Sequence, residues 1–309
     1  MARAAPAAAA AALLLLALSA CAAARSAPSD GSALLGGGVR LSGSDALQWI
    51  RSSFGRKGKG DDFEDMPAYI ATRFTVDPTL HDKFIDAWGD LQKSLDKARG
   101  LDFYQLSLEA GNNVYFWAYT EWDSFADLMD HGGCGAAKDF MDFIDDHDIM
   151  IEMFPLKEAG NTKKEYRTHR EGERASAAAR AAAAADLARK RGRDSHMEDF
   201  DPREEPAHVA ITFHVPPSMR EEFEDTFEEV QGRVADEEDA NRFYVLRRIG
   251  TLNHHYVLRA AWDSLDDWLD HVTSKTFRSL REFTEDKGIE WYAHPFRVLF
   301  TSEGKGEDV

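Results

Sequence analysis

The chain has 309 residues, a length that favours two domains over one large core. Its 55 acidic and 37 basic residues give a net charge of -18, which would repel a phosphate backbone, so we expect no nucleic-acid partner. A mean hydropathy of -0.47 excludes a membrane-embedded fold, and two cysteines are too few for a disulfide framework or a cysteine metal site.

The first residues form an alanine-rich apolar run that ends in small residues, which is typical of a secretory signal peptide, here assigned to residues 1–27. The run also contains Leu18-Ser19-Ala20-Cys21, which matches a bacterial lipobox and would place a lipid anchor on Cys21. In an alga with a complex plastid, the same signal would begin a plastid address instead. We therefore expect entry into the secretory pathway. The segment after the signal, residues 28–66, has too little apolar content to fold alone and is expected to be flexible.

An internal repeat is the strongest feature of the sequence, because residues 67–155 recur at 206–295. The matched pairs are Pro67 and Pro206, Phe74 and Phe213, Phe84 and Phe223, Trp122 and Trp262, and His131 and His271. The chain therefore contains two copies of one module, with domains predicted at 67–158 and 205–301. An alanine- and arginine-rich segment at 159–204 joins them and is expected to be a helical linker without an apolar face.

Each copy predicts the element order β-α-β-β-α-β, the ferredoxin-like unit. Alternating apolar residues predict the strands, and a stripe with helical spacing predicts the first helix. The strands of the first copy are expected at Tyr69–Val76, Phe103–Leu108, Val114–Trp122 and Ile149–Phe154. Those of the second are expected at His208–Val215, Phe243–Arg248, His255–Trp262 and Ile289–His294. A second, broken helical region begins at Ser124 or Ser264, where the serine is expected to cap the helix.

The third strand carries apolar residues on both faces. Tyr115, Trp117 and Tyr119 point one way, while Phe116 and Ala118 point the other. An antiparallel sheet with helices on one side usually leaves its other face polar, so a second sheet must cover this one. The predicted fold is α+β, with two ferredoxin-like repeats packed sheet to sheet as a pseudo-dimeric α/β barrel inside a monomeric chain.

Both repeats resemble the antibiotic biosynthesis monooxygenase (ABM) domain of the dimeric α/β barrel superfamily. The resemblance is carried by Trp122-Asp123-Ser124 followed by Asp130-His131, and by Trp262-Asp263-Ser264 followed by Asp270-His271. It implies a cofactor-independent monooxygenase that acts on a small aromatic or quinol compound. The alternative is a non-catalytic protein that uses the barrel to hold a small lipophilic ligand or a protein partner.

The resemblance also implies roles for particular side chains. The indole N–H of Trp122 or Trp262 would donate to reduced oxygen, and His131 or His271 would be the base. Tyr104, Tyr244 and Trp268 are candidates for contacts with the substrate. Each residue also has a structural reading, in which the tryptophans anchor the core and the histidines close a short helix.

No metal or cofactor site is expected. In the heme-degrading branch of the superfamily, the iron-binding histidine aligns with Met141 and Arg281, so heme ligation of that kind is not predicted. His254 and His255 are successive residues at a hairpin and should face opposite ways, which argues against a shared ion. If one copy is active, the second is favoured, because residues 268–283 keep the fuller family pattern.

Overall fold

A computed structural model describes residues 39–41, 63–159, 206–250 and 254–302. The expected signal peptide, most of the segment 28–66 and nearly all of the linker predicted at 159–204 lie outside the described residues. Among the helices that are described, none is both long enough and apolar enough to cross a membrane.

The element order predicted for each copy is confirmed, with the second helical region divided into two helices. A short strand, β1 (Val39–Leu41), precedes the first copy, which consists of β2 (Ala68–Thr75), α1 (His81–Leu95), β3 (Leu101–Glu109), β4 (Tyr115–Trp122), α2 (Phe125–Gly132), α3 (Gly135–Asp146) and β5 (Met150–Glu158). The second copy consists of β6 (Ala207–His214), α4 (Arg220–Glu237), β7 (Asn241–Ile249), β8 (His255–Trp262), α5 (Leu265–Thr273), α6 (Lys275–Lys287) and β9 (Glu290–Thr301).

The strands form one closed antiparallel barrel. Their order is β5-β2-β4-β3-β9-β6-β8-β7, β7 returns to pair with β5, and β1 adds to the outer edge of β5. Each copy contributes four strands, and each last strand runs on to pair with the second strand of the other copy. The pseudo-dimeric α/β barrel predicted from the sequence is therefore confirmed.

The last strands are longer than predicted, because a proline does not end them. Pro155 lies opposite Ile70 and Pro295 lies opposite Val209, and each strand continues past its proline. The Pro155 carbonyl accepts from Gly250 N–H at 2.7 Å, and the Pro295 carbonyl accepts from Ala110 N–H at 2.8 Å. Each proline thus lies where the last strand stops pairing within its own copy and begins to pair with the other copy. The N–H group that proline lacks therefore interrupts neither set of strand pairings.

The helices pack on the outside of the barrel, where each copy has its own apolar core. Phe84 of α1 and Phe223 of α4 are fully buried, and each ring lies 5.3 Å from a phenylalanine of the first strand of its copy. A third apolar cluster, which includes Trp117, Phe154 and Val257, fills the lumen from both copies. The lumen faces thus cover each other, as the apolar residues on both faces of β4 require.

Charged residues also lie in the lumen. Arg73 Nε donates to Glu152 at 2.7 Å, and the Arg259 guanidinium lies 3.4 Å from the centre of the Tyr119 ring and 3.6 Å from Glu121. Burial, together with the positive charges of Arg242 and Arg259, lowers the pKa of His208 to about 3. His208 is therefore neutral at physiological pH, while Arg73 and Arg259 each lie beside a carboxylate.

Candidate functional site

The candidate site lies where β8 ends and α5 begins. Trp262 is the last residue of β8, and Ser264 caps α5 by accepting a hydrogen bond from Asp267 N–H at 3.2 Å. The cap fixes where the helix starts. Its last turn then places His271 against Trp262, with ring centroids 4.7 Å apart. Ser124 caps α2 in the same way, so both predicted caps are confirmed.

Glu238 joins these two side chains. The Glu238 carboxylate lies 2.8 Å from His271 Nδ1, and it accepts a hydrogen bond from Trp262 Nε1 at 3.1 Å. The His271 side chain is 2% exposed and that of Glu238 is 15% exposed, so little water competes for these contacts. A carboxylate at Nδ1 fixes the imidazole tautomer with the proton on that atom, which leaves Nε2 as the basic nitrogen.

A small apolar pocket adjoins this triad of Trp262, Glu238 and His271. Trp262 and His271 line it together with Trp268, Val272, Phe277 and Trp291. The pocket has room for about one water molecule. Val272, Trp291 and Ala293 are half-buried, whereas Trp268 and Phe277 are buried.

Tyr244 packs behind the triad. Its ring lies 5.5 Å from that of His271 and 6.1 Å from that of Trp262, and its buried hydroxyl has no hydrogen-bond partner among the described residues. Burial, reinforced by the negative charge of Glu238, raises the pKa of Tyr244 well above its usual range. Tyr244 therefore stays neutral beside the histidine.

At the equivalent position in the first copy, no described residue makes such a carboxylate contact. The rings of Trp122 and His131 lie 5.2 Å apart, but within the described ranges neither Trp122 Nε1 nor His131 Nε2 has a hydrogen-bond partner. Burial lowers the pKa of His131, which favours its neutral form. Unlike the Tyr244 hydroxyl, the Tyr104 hydroxyl is hydrogen-bonded. It donates to Asp96 at 2.6 Å and accepts from Gln92 at 2.9 Å.

The structure therefore brings Trp262, His271 and Trp268 to one pocket, with Tyr244 behind them, and it places Trp122, His131 and Tyr104 in the other copy. Glu238 was not predicted, because it follows α4 in a loop and its partners lie 24 and 33 residues further along the chain. One signal was available in the sequence. The acidic run Asp236-Glu237-Glu238-Asp239 lies next to the point where the second copy carries its inserted residue.

Comparison with known proteins matches the family model "Antibiotic biosynthesis monooxygenase" twice, at residues 67–142 and 206–282. No curated protein matches the chain. Two solved structures share the fold. A candidate monooxygenase from Lactobacillus acidophilus NCFM is 8% identical, with a TM-score of 0.54, and the match covers 77% of this chain and 97% of that one. A candidate monooxygenase from Fusobacterium nucleatum is 14% identical, with a TM-score of 0.57, and the match covers 78% and 95%.

Proposed function

Because the chain carries two ABM-family domains in tandem, we propose that it is a cofactor-independent monooxygenase of a small aromatic or quinol compound, with its working pocket in the second copy. The observation that carries this proposal is the contact of Glu238 with both His271 and Trp262 beside an apolar pocket. When a carboxylate holds Nδ1 of a buried histidine, Nε2 is the atom that can take a proton from a substrate.

The proposed reaction starts with proton transfer. His271 Nε2 takes the proton of a phenolic hydroxyl, and the electron-rich anion that forms reduces molecular oxygen directly. One oxygen atom then enters the ring as a carbonyl, while the other leaves as water with the two hydrogens that the substrate loses. The aromatic and aliphatic lining excludes water, which favours attack by oxygen on the anion over reprotonation by solvent.

The size of the pocket constrains the substrate. Room for about one water molecule does not admit an aromatic ring, so binding requires half-buried residues of the lining such as Val272 and Trp291 to move outward. A flat bicyclic phenol would then stack between tryptophan side chains. Flat aromatic substrates are therefore favoured over branched aliphatic ones.

The direct test is oxygen uptake by the purified protein with 1-naphthol and 1,4-dihydroxynaphthalene. We expect oxygen uptake faster than that of the same phenol in buffer without the protein, and EDTA should not change it. The product should have gained one oxygen atom and lost two hydrogens. With labelled oxygen gas, the label should appear in the product by mass spectrometry. If both phenols take up oxygen no faster with the protein than without it, or if the product carries no label, the monooxygenase proposal is contradicted.

Glu238→Gln is expected to lower kcat about 10- to 100-fold, because the neutral amide no longer fixes the His271 tautomer. KM and the melting temperature should change little, since the side-chain volume is kept. Glu237→Gln is the matched control, because Glu237 is the preceding residue and its carboxylate accepts from Thr276 Oγ1 at 3.3 Å rather than from the histidine. Equal kcat values for the two variants would remove Glu238 from its positioning role.

One observation favours a second function, a non-catalytic binding protein. Core side chains nearly fill the pocket, as they would in a module that needs no substrate cavity. For this function, titration calorimetry with 1-naphthol under air would detect no continuing heat of turnover.

A further inference from the structure

Three histidines meet at the end of β8 that is far from Trp262. They are His214, the last residue of β6, His254, which precedes β8, and His255, the first residue of β8. Each can present a ring nitrogen within 4.8 Å of those of the other two. We propose that this trio of histidines binds a divalent transition-metal ion of the zinc class.

The backbone explains why the three imidazoles converge. His214 and His255 face each other in the register of β6 and β8, and their rings stack at 4.7 Å. His254 lies outside the strand, so the alternation expected from the sequence does not separate it from His255, and the two ring centroids are 4.4 Å apart. Val215 N–H donates to the His254 carbonyl at 2.8 Å, which holds that residue beside the end of β6.

The ligand set suits a borderline metal ion. Neutral imidazole is a preferred ligand of Zn²⁺, Ni²⁺ and Cu²⁺, whereas Mg²⁺ and Ca²⁺ prefer oxygen. Tetrahedral zinc with Zn–N bonds of about 2.0–2.1 Å needs its nitrogens about 3.3 Å apart, so the rings must close slightly. All three side chains are partly exposed and can turn to do so. Glu290 lies opposite His214 in β9, with its carboxylate 3.9 Å from His214 Nδ1, and is available as a fourth ligand.

The first copy supplies an internal comparison. Thr75 faces Tyr115 and Met150 there, as His214 faces His255 and Glu290 in the second copy. Val114 takes the place of His254, since its carbonyl accepts the equivalent hydrogen bond from Val76. None of these four residues offers an imidazole or a carboxylate. One ion per chain is therefore expected rather than two.

The metal site is separate from the proposed active site. His255 and Trp262 are the two ends of β8, which at about 3.3 Å per residue places them about 23 Å apart. Zinc would tie the start of β8 to β6 and β9. Binding should therefore raise the melting temperature of the chain without being required for turnover.

Zinc binding can be measured by titration calorimetry on the full chain, purified without a histidine tag. Excess Mg²⁺ should be present to occupy acidic surface groups. We expect one Zn²⁺ per chain and a rise in melting temperature. The double variant His214→Ala/His255→Ala should bind Zn²⁺ at least about tenfold more weakly and lose the thermal shift. His147→Ala, which removes a histidine of the first copy, should behave like the wild-type chain.

His254→Ala provides a second variant in a turn, where loss of the side chain does not disturb a strand, and it should also bind at least about tenfold more weakly. Circular dichroism of each variant without metal shows whether it is folded. The proposal is overturned if the wild-type chain binds no Zn²⁺ under these conditions, or if folded variants bind it as tightly as the wild-type chain. Oxygen uptake of the metal-free protein reports separately on the proposed function.

Discussion

Replacing His271 by alanine is expected to lower kcat/KM for oxygen uptake with 1-naphthol about 100- to 10,000-fold. In the proposed mechanism this side chain removes the phenolic proton, and no other described side chain in the pocket lining can act as a base. The loss should appear mainly in kcat, because the aromatic lining that binds the ring stays in place. Oxygen-electrode measurements over a range of substrate concentrations separate kcat from KM.

His131→Ala is the matched control, since it removes the equivalent histidine of the first copy. His131 has no carboxylate contact among the described residues, so this variant should keep nearly all of the activity. If His271→Ala retains wild-type turnover, His271 is not the base. If the two variants lose activity equally, the pockets are equivalent and the choice of the second copy is wrong.

Replacing Arg73 by methionine is expected to lower the free energy of unfolding by about 3–5 kcal/mol. Arg73 is 2% exposed and Glu152 is 6% exposed, and they face each other across β2 and β5 inside the barrel. The guanidinium also lies 4.7 Å from the centre of the Tyr115 ring. Methionine would leave the Glu152 carboxylate buried without its cation, and removal of one partner of a buried pair costs more than the pair itself contributes. Urea unfolding followed by tryptophan fluorescence measures the loss.

Two further variants show whether the unpaired charge is the cause. Adding Glu152→Leu to Arg73→Met removes both charges and should restore stability to within about 1 kcal/mol of the wild-type chain. Lys93→Met breaks the Lys93–Asp90 pair, whose side chains are 76% and 78% exposed, and should cost less than about 0.5 kcal/mol. A double variant as unstable as Arg73→Met would show that lost packing, rather than charge, explains the effect.

The fold could be predicted because its determinants are local and occur twice. Alternation placed a strand at Tyr69–Val76, and the structure has Ala68–Thr75. The last strand was predicted to end at His294 but continues to Thr301, because residues after Pro295 pair with β3 of the other copy. Nothing within the strand itself indicates which strand of the other copy its extension pairs with.

The candidate site was predicted only in part, for the same reason. Trp262 and His271 follow from the repeat and from the helix cap between them, both of which are visible in sequence. Glu238 reaches them across the end of a different helix, so its role depends on tertiary packing. The histidine trio was missed because the alternation of side chains within a strand was applied to His254 and His255, although His254 lies outside β8.

The closed barrel has a consequence for how the two halves diverged. In a homodimer, every substitution is present in both subunits. A carboxylate beside the histidine and a buried ion pair in the lumen would therefore both have to be present in each subunit. Fusion into a single polypeptide lifts that restriction. Here Glu238 belongs to the second half, while Arg73 and Glu152 belong to the first. The second half has Thr212 and Tyr292 at the positions equivalent to Arg73 and Glu152. A single chain can therefore carry the Glu238 contact in one half and the Arg73–Glu152 ion pair in the other.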